Sequence, residues 1–388
     1  MRLGQLHWMP DRGWSPPPGS LGFEPGLILC FGRGAVLEQA LAPLRQACPA
    51  ARLVAGGAQA MMRGAELQQE GAVAVALRFA ATPFRIVEQV VAGTGDDRRA
   101  GQALGAALSA PDLAGILVLA DGITVNGSEL LAGLRDRLGQ GCALFGGMLS
   151  DTARPEEPGP PGLGIDGPPR HGLAAAIGFY GPQVRIAAGA ASGVDAFGPR
   201  RLITCASGSL LQALDGRPAL ELYRRYLGEE FVGSSAALTF PLLVWPPGQP
   251  EQAVVRTLIH FDPARGSLRF AGNVPAGHLA RLMRGNLDRV AMAAADAARQ
   301  ACAGLPALPG DRLALLVSCI GRLQLLGGRT AEEVEDAALA LALGEGGGAA
   351  PIGFYSYGEI CCAGGGAQTE LHNQTMTVLL LGEAVADG

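Results

Sequence analysis

The residues best equipped for chemistry stand in the C-terminal stretch, each beside an apolar run. Cys319 and Arg322 follow one run, and Tyr355, Ser356, Tyr357 and Glu359 follow a second. His372, Asn373, Gln374 and Thr375 precede a third, Met376 to Leu381. Polar side chains at the carboxyl ends of strands are a common way to build a ligand pocket. An Arg placed there clamps a carboxylate or phosphate through two parallel hydrogen bonds. Glu359 would be its counterpart for an amine, so Arg322 and Glu359 facing one hollow would suit a zwitterionic amino acid. The competing reading is an internal ion pair of Arg322 with Glu332, Glu333 or Glu359. Tyr355 and Tyr357 alternate on a strand and share a face, either as a pocket wall or as packing under a helix.

Cys319 with His372 invites a thiol-enzyme reading. A reactive thiol needs a neighbouring base or positive charge, and Arg322 would supply the charge. No nucleophile elbow or oxyanion motif accompanies them, so a Cys-dependent hydrolase or transferase is the weakest alternative and no catalytic residue is assigned. In the N-terminal half Asp121, Asn126 and Asp151 follow strands, as pocket contacts or as caps. His260, in the apolar run Leu258 to Phe261, and His372 are the candidate haem ligands; the plainer reading of each is a hydrogen-bonded core or edge histidine. No two His share metal-ligand spacing, so no metal centre is expected.

Strands and helices must carry these groups. Leu27 to Phe31 reads as a strand, followed by a helix to about Gln46 and a strand Arg52 to Ala55 running into Gly56-Gly57. Gly71 to Phe79 and Phe84 to Val91 alternate and are expected to pair antiparallel around Thr82-Pro83. After a helix Asp96 to Leu108 and a strand Gly115 to Leu119, Asn126 to Glu129 forms a capping box for a helix to Leu138. Arg154 to Pro169 is a Pro/Gly-rich loop. Its Gly162-Leu-Gly-Ile-Asp-Gly167 matches a dinucleotide pattern, but Pro168-Pro169 stand where a helix must begin. Ala174 to Phe179 and Gln183 to Ala188 read as a hairpin. Pro218 opens a helix to Leu227. Ala237 to Val244, Val254 to Phe261 and Ser267 to Phe270 form an antiparallel set. Asn286 caps a long Ala-rich helix, and Thr330 with Glu333 forms a second capping box. No fixed-period repeat is visible.

Hydrophobic residues make up 48% and charged residues 17% of the 388, which is a globular and not a disordered chain. The net charge of −5, with no basic cluster beyond three Arg pairs, argues against a nucleic-acid surface. Every basic residue is Arg; the absence of Lys excludes a P-loop, a pyridoxal Schiff base and a kinase-type Lys. The eight Cys include no C-x-x-C pair, which excludes zinc-ribbon and thioredoxin readings; Cys361-Cys362 are adjacent and invite a vicinal bridge. No signal-like segment and no apolar run of transmembrane length is present, so a reduced cytoplasmic protein without membrane insertion is expected.

The segments Ser318-Cys-Ile-Gly-Arg322, Gly353-Phe-Tyr-Ser-Tyr-Gly-Glu359 and His372-Asn-Gln-Thr-Met-Thr377, in this order, resemble the C-terminal half of the FIST family of bacterial sensory proteins. The N-terminal pattern is similar at Leu27 to Phe31, at Ala120-Asp-Gly122 with Asn126-Gly127, and at Phe145 to Asp151. Asp215 to Ala219 and Phe270-Ala-Gly-Asn-Val-Pro275 add to the C-terminal likeness. The resemblance implies a sensory module that binds a small ligand, with amino acids as proposed ligands, and that signals through a partner such as a histidine kinase. One branch of the family looks like haem-binding nitric-oxide sensors. The loop after the second strand departs from the family pattern: Gly56-Gly-Ala-Gln-Ala-Met-Met62 has few hydroxyls and two Met, which suggests a more apolar ligand. The expected fold is α/β (α+β), two domains with mixed, partly antiparallel sheets covered by helices. Its divisions are a leader 1–25, an N-terminal domain 26–210 and a C-terminal domain 211–388.

Overall fold

The computed structural model describes residues 1–93, 95–139, 141–149, 151, 162–229, 239–305, 308, 310–344, 348–361 and 369–384. The first unit contains β1 (Arg2–Met9), β2 (Gly13–Ser15), β3 (Leu27–Gly32), α1 (Gly34–Ala47), β4 (Arg52–Gly57), β5 (Met61–Arg63), β6 (Glu66–Gln68) and β7 (Ala72–Arg78). The second contains β8 (Phe84–Val90), α2 (Asp97–Leu108), β9 (Leu113–Asp121), α3 (Gly127–Leu138), β10 (Ala143–Leu149), β11 (Leu163–Ile165) and β12 (Leu173–Tyr180). The third opens with β13 (Val184–Ala191). An insert interrupts it: β14 (Val194–Ser207), β15 (Leu210–Leu214), β16 (Arg217–Pro218), α4 (Ala219–Leu227), β17 (Leu242–Trp245), β18 (Val254–Arg256), β19 (Leu258–Asp262), β20 (Ser267–Phe270) and β21 (Leu279–Gly285). The unit then resumes with α5 (Leu287–Ala303), β22 (Arg312–Cys319), α6 (Ile320–Leu326), α7 (Thr330–Leu343), β23 (Ala349–Ser356), β24 (Glu359–Cys361), β25 (Glu370–His372) and β26 (Met376–Glu383).

The three units repeat one plan. A parallel pair joined by helix stands at the centre of each sheet: β3 with β4, β9 with β10, β22 with β23. An antiparallel strand flanks the first member of each pair (β7, β12, β26), and β1, β8 or β13 lies beyond it. The free side of each pair is closed by a strand from another unit. β11 of the second unit pairs with β4, β24 of the third with β10, and β5 of the first with β23. The exchange is therefore cyclic. The helices cover the outside; the inner faces of the three sheets share one core.

Strand alternation sorts the residues. Leu27, Leu29 and Phe31 join Leu117, Leu119, Leu313, Leu315 and Val317 in the central core, and Phe31 stacks on Phe354 at 4.5 Å. Ile28 and Cys30 turn outward onto α1. Strands buried on both faces read as continuous apolar runs, as the sequence does. The α+β class and the mixed sheets covered by helices agree with expectation.

Several local expectations change. Residues 1–25 are not merely a leader, because β1 is laddered along β7. Phe84–Val90 does not pair with Ala72–Arg78: both edges of β7 are taken, by β1 and β3, so β8 joins β12 instead. For the same reason β13 leaves β12 and pairs with β26. The boundary at 210/211 falls at the start of β15, inside the insert. Met61 and Met62, read as a loop facing a ligand, are fully buried in strand β5 and belong to the core. Cys362, and with it the vicinal bridge, lies outside the described residues, as do 154–161 of the expected loop and 237–238 of the expected strand.

Candidate functional site

At the carboxyl ends of β22 and β23 the expected polar set is present, but it closes on itself. Arg322 is fully buried. Its Nε and Nη2 donate to Glu333 Oε2 at 2.9 and 2.6 Å, its Nη2 also to the Val290 carbonyl, and its Nη1 to the Ser192 carbonyl. The hydroxyls of Tyr355 and Ser318 donate to Glu333 Oε1. Glu333 is thus the ion-pair partner and not a capping residue, and the Thr330 hydroxyl donates to the Gly327 carbonyl. Glu359, also fully buried, accepts from Ser356 Oγ at 2.7 Å and from Thr375 Oγ1 at 2.9 Å. Burial outweighs these bonds and lifts its carboxyl to about 8. Cys319 is buried, and its thiol is pushed up by burial and then by Glu359, which opposes thiolate formation. Asn373 accepts from Thr257 N and donates to the Tyr357 carbonyl. The His372 ring is buried, and desolvation lowers it to about 4.

The open space lies at the equivalent place in the second unit. A cleft of about 970 Å³ sits where β9 ends and α2 and α3 begin. One wall carries Gly95, Asp97, Arg98, Asn126, Gly127 and Glu129. The facing wall is the insert, with Ser207 to Ser209, Ile259, His260 and Arg269 to Gly272. Tyr357 and Leu371, from the third unit's exchanged segment, reach in beside Met148. Glycine makes the space: a Cβ on Gly122 would stand 3.0 Å from Tyr357 Cβ, and one on Gly127 2.9 Å from Met148 Sδ. Asn126 caps α3, accepting from Ser128 N and Glu129 N, and its own N–H donates to Asp97 Oδ1 at 2.7 Å. Glu129 does not close the expected capping box. It accepts instead from Asn273 Nδ2 at 2.6 Å. His260 and Arg269 are cross-strand partners, and Arg269 has no hydrogen-bond or ion-pair partner among the described residues.

Of the ten candidate ligand residues, Asn126 and Tyr357 line this cleft; Cys319, Arg322, Tyr355, Glu359, His372, Asn373, Asp121 and Asp151 do not. Of Arg322, Tyr357 and His372, only Tyr357 lines the cleft, and the Arg322 guanidinium is spent on Glu333. Asp121 is committed to its own turn, accepting from Ile123 N, Thr124 Oγ1 and Gly172 N. Asp151 pairs with Arg33 at 3.2 Å, and burial raises its carboxyl. His260, one of the two haem candidates, is exposed on the insert wall. Sequence reasoning passed over Asp97, Arg98, Glu129, Arg269 and Asn273 as individuals. The signal was present in segments: Ala120 to Gly122, Asn126-Gly127 and Phe270 to Pro275 carry the family likeness and meet here. Among the described residues no group of three or more His, Cys, Asp or Glu is placed to hold a metal ion. Among them, too, no helix is long and apolar enough to cross a membrane.

Comparison with known proteins gives the same family. The FIST N domain model matches residues 26–217 and the FIST C domain model residues 219–362. No curated protein matches the chain. Among solved structures, a cyanuric acid hydrolase from A. caulinodans aligns over 99% of both chains at 10% identity, with a TM-score of 0.38, too low to support any inference. The two domain matches adjoin and span most of the sequence: this chain belongs to the FIST family, whose domains are sensory domains of signal transduction.

Proposed function

We propose that the cleft between the second unit and the insert binds a small polar metabolite, an amino acid or a close relative, and that the chain passes its ligand state to a partner protein such as a histidine kinase. The observation that carries this reading is a large cleft lined by Arg269, which has no partner among the described residues, and by Glu129, groups of opposite sign suited to a carboxylate and an amine. The reading keeps the ligand class expected from the C-terminal polar set and moves its site. Two helix N-termini beside the cleft favour the carboxylate end. This cleft suits haem poorly: His260 is exposed at the rim, His372 is buried and does not line it, and Asp97, Asn126 and Glu129 occupy the wall a porphyrin would need to be apolar. Isothermal titration against the proteinogenic amino acids and small dicarboxylates tests the proposal. Binding by one class, weakened by Arg269→Ala, supports it; silence across the panel counts against it. A Soret band on haem addition would reverse the choice between ligands.

A further inference from the structure

The insert 194–285 is tied to the rest of the molecule in two different ways. At one end it hangs on a two-strand stem, where Val194 pairs with Gly285. At the other end it meets α3 and β25 through a set of polar contacts. Asn273 uses all four of its hydrogen-bonding groups, three across to α3 and its cap and one within the insert. Its N–H donates to Ser128 Oγ and its Nδ2 to Glu129 Oε1. Its Oδ1 accepts from Asn126 Nδ2, and its carbonyl accepts from Arg256 Nε. Arg256 is buried, no carboxylate pairs with it among the described residues, and its Nη1 crosses to the Leu371 carbonyl at 2.6 Å. Thr257 N crosses to Asn373 Oδ1. Among the described residues the same seam leaves Thr257 Oγ1 and His372 Nε2, both buried, without a hydrogen-bond partner. Native structures contain few such groups, and each one weakens the closed arrangement relative to one that water can reach. A desolvated guanidinium that donates to carbonyls, with no carboxylate in hydrogen-bond contact among the described residues, acts in the same direction.

Resting on the ligand-cleft reading, we propose that the insert is a hinged lid on the cleft, swinging on its stem and latched by Asn273. Asn126 and Glu129 face the cleft and also hold the latch, so occupancy and lid position are linked: whatever binds those groups shifts the lid, and the lid's position shifts affinity. Asn273 is a positioning residue that lies behind the cleft wall. The chain thereby has a moving element whose state reports on the cleft.

Hydrogen exchange on the full chain, without any ligand, tests the lid. Asn273→Ala should speed exchange about tenfold or more at the two amides that cross the seam, those of residues 257 and 273, leaving the ladder amides of the insert and of β3, β9 and β22 unchanged. Thr257→Val removes an unsatisfied hydroxyl at nearly constant shape and should slow exchange of the seam amides of residues 257 and 273 about tenfold. A merely structural seam would loosen the insert's own ladders as well, whereas a swinging lid keeps the ladder amides of β17, β19, β20 and β21 protected in both variants. Unchanged exchange at the seam amides of Asn273→Ala, a rise that includes the insert's ladders, or no slowing in Thr257→Val would overturn the proposal. Because no ligand is added, a silent titration panel leaves the lid standing, and a rigid insert leaves the binding site standing.

Discussion

The strand ends of the second and third units occupy equivalent places in a repeated plan and have opposite fates. In the third, long side chains meet and consume one another: Arg322 with Glu333, Tyr355 and Ser318 on the same carboxylate, Glu359 with Ser356 and Thr375. In the second, Gly122 and Gly127 leave room, and the facing walls are contributed by the insert and by Tyr357 and Leu371. Polar density along the sequence marked both places. What separates them is whether the side chains can satisfy each other. The filled place is a buried polar network that fixes the joint of β22, α6 and α7; the open one is where a ligand has groups left to meet.

The largest effect should come from the filled site. Arg322→Ala strands the Glu333 carboxylate at full burial and should cost about 5 kcal/mol of stability in chemical denaturation. Arg322→Met with Glu333→Leu removes both charges and should recover most of that loss. If the single variant were as stable as the parent, the network would not be structural and the contrast between the two sites would fail.

Glu359 adds a pH dependence to the same side. Its folded carboxyl is raised to about 8 from an ordinary 4.5, so the stability it contributes is full below pH 4.5 and is lost as pH rises to about 8. Glu359→Gln should flatten this limb and raise stability at pH 8.5 by about 3 kcal/mol, read from denaturation midpoints across pH. His372 works in the other direction. Its ring is lowered to about 4 from 6.5, so its contribution is full above pH 6.5 and falls as pH drops towards 4. His372→Asn should remove this acid limb while leaving the alkaline one.

How much of this was legible follows from which interactions are local. The strands were readable because burial on both faces leaves uninterrupted apolar runs such as Leu27–Phe31 and Leu313–Val317. The caps at Asn126 and Asn286 and the helix start after Pro218 were readable because they are decided within four residues. The cyclic exchange of β5, β11 and β24 was not, because a strand's partner is set by which edge is free in the folded molecule. The two hairpins expected at the unit boundaries failed on that point. Arg322 illustrates the matching limit for sites: its ion pair with Glu333 was one of the alternatives weighed, and only burial and distance decide it. The cleft was hidden because glycines and a distant insert make it, and neither carries an obvious chemical signature.

At the open site the expected effects are smaller and separate binding from stability. Arg269 is exposed and unpaired among the described residues, so Arg269→Ala should change stability by less than about 0.5 kcal/mol. Its loss should weaken binding of a carboxylate-bearing ligand about tenfold, or about 1.4 kcal/mol. Equal affinity in the variant would place the ligand elsewhere in the cleft or outside it.

The smallest effect expected is none at all, at Cys319. Thiol reactivity needs thiolate and access, and this thiol lacks both: it is buried, accepts from Gly321 N, and lies near the buried Glu359. Cys205 is exposed on the insert and should take up an alkylating probe first under native conditions. Peptide mapping after brief labelling would then find Cys205 modified and Cys319 untouched until denaturant is added. Rapid native labelling of Cys319 would mean that the filled site opens, and with it the thiol chemistry that the closed arrangement suppresses.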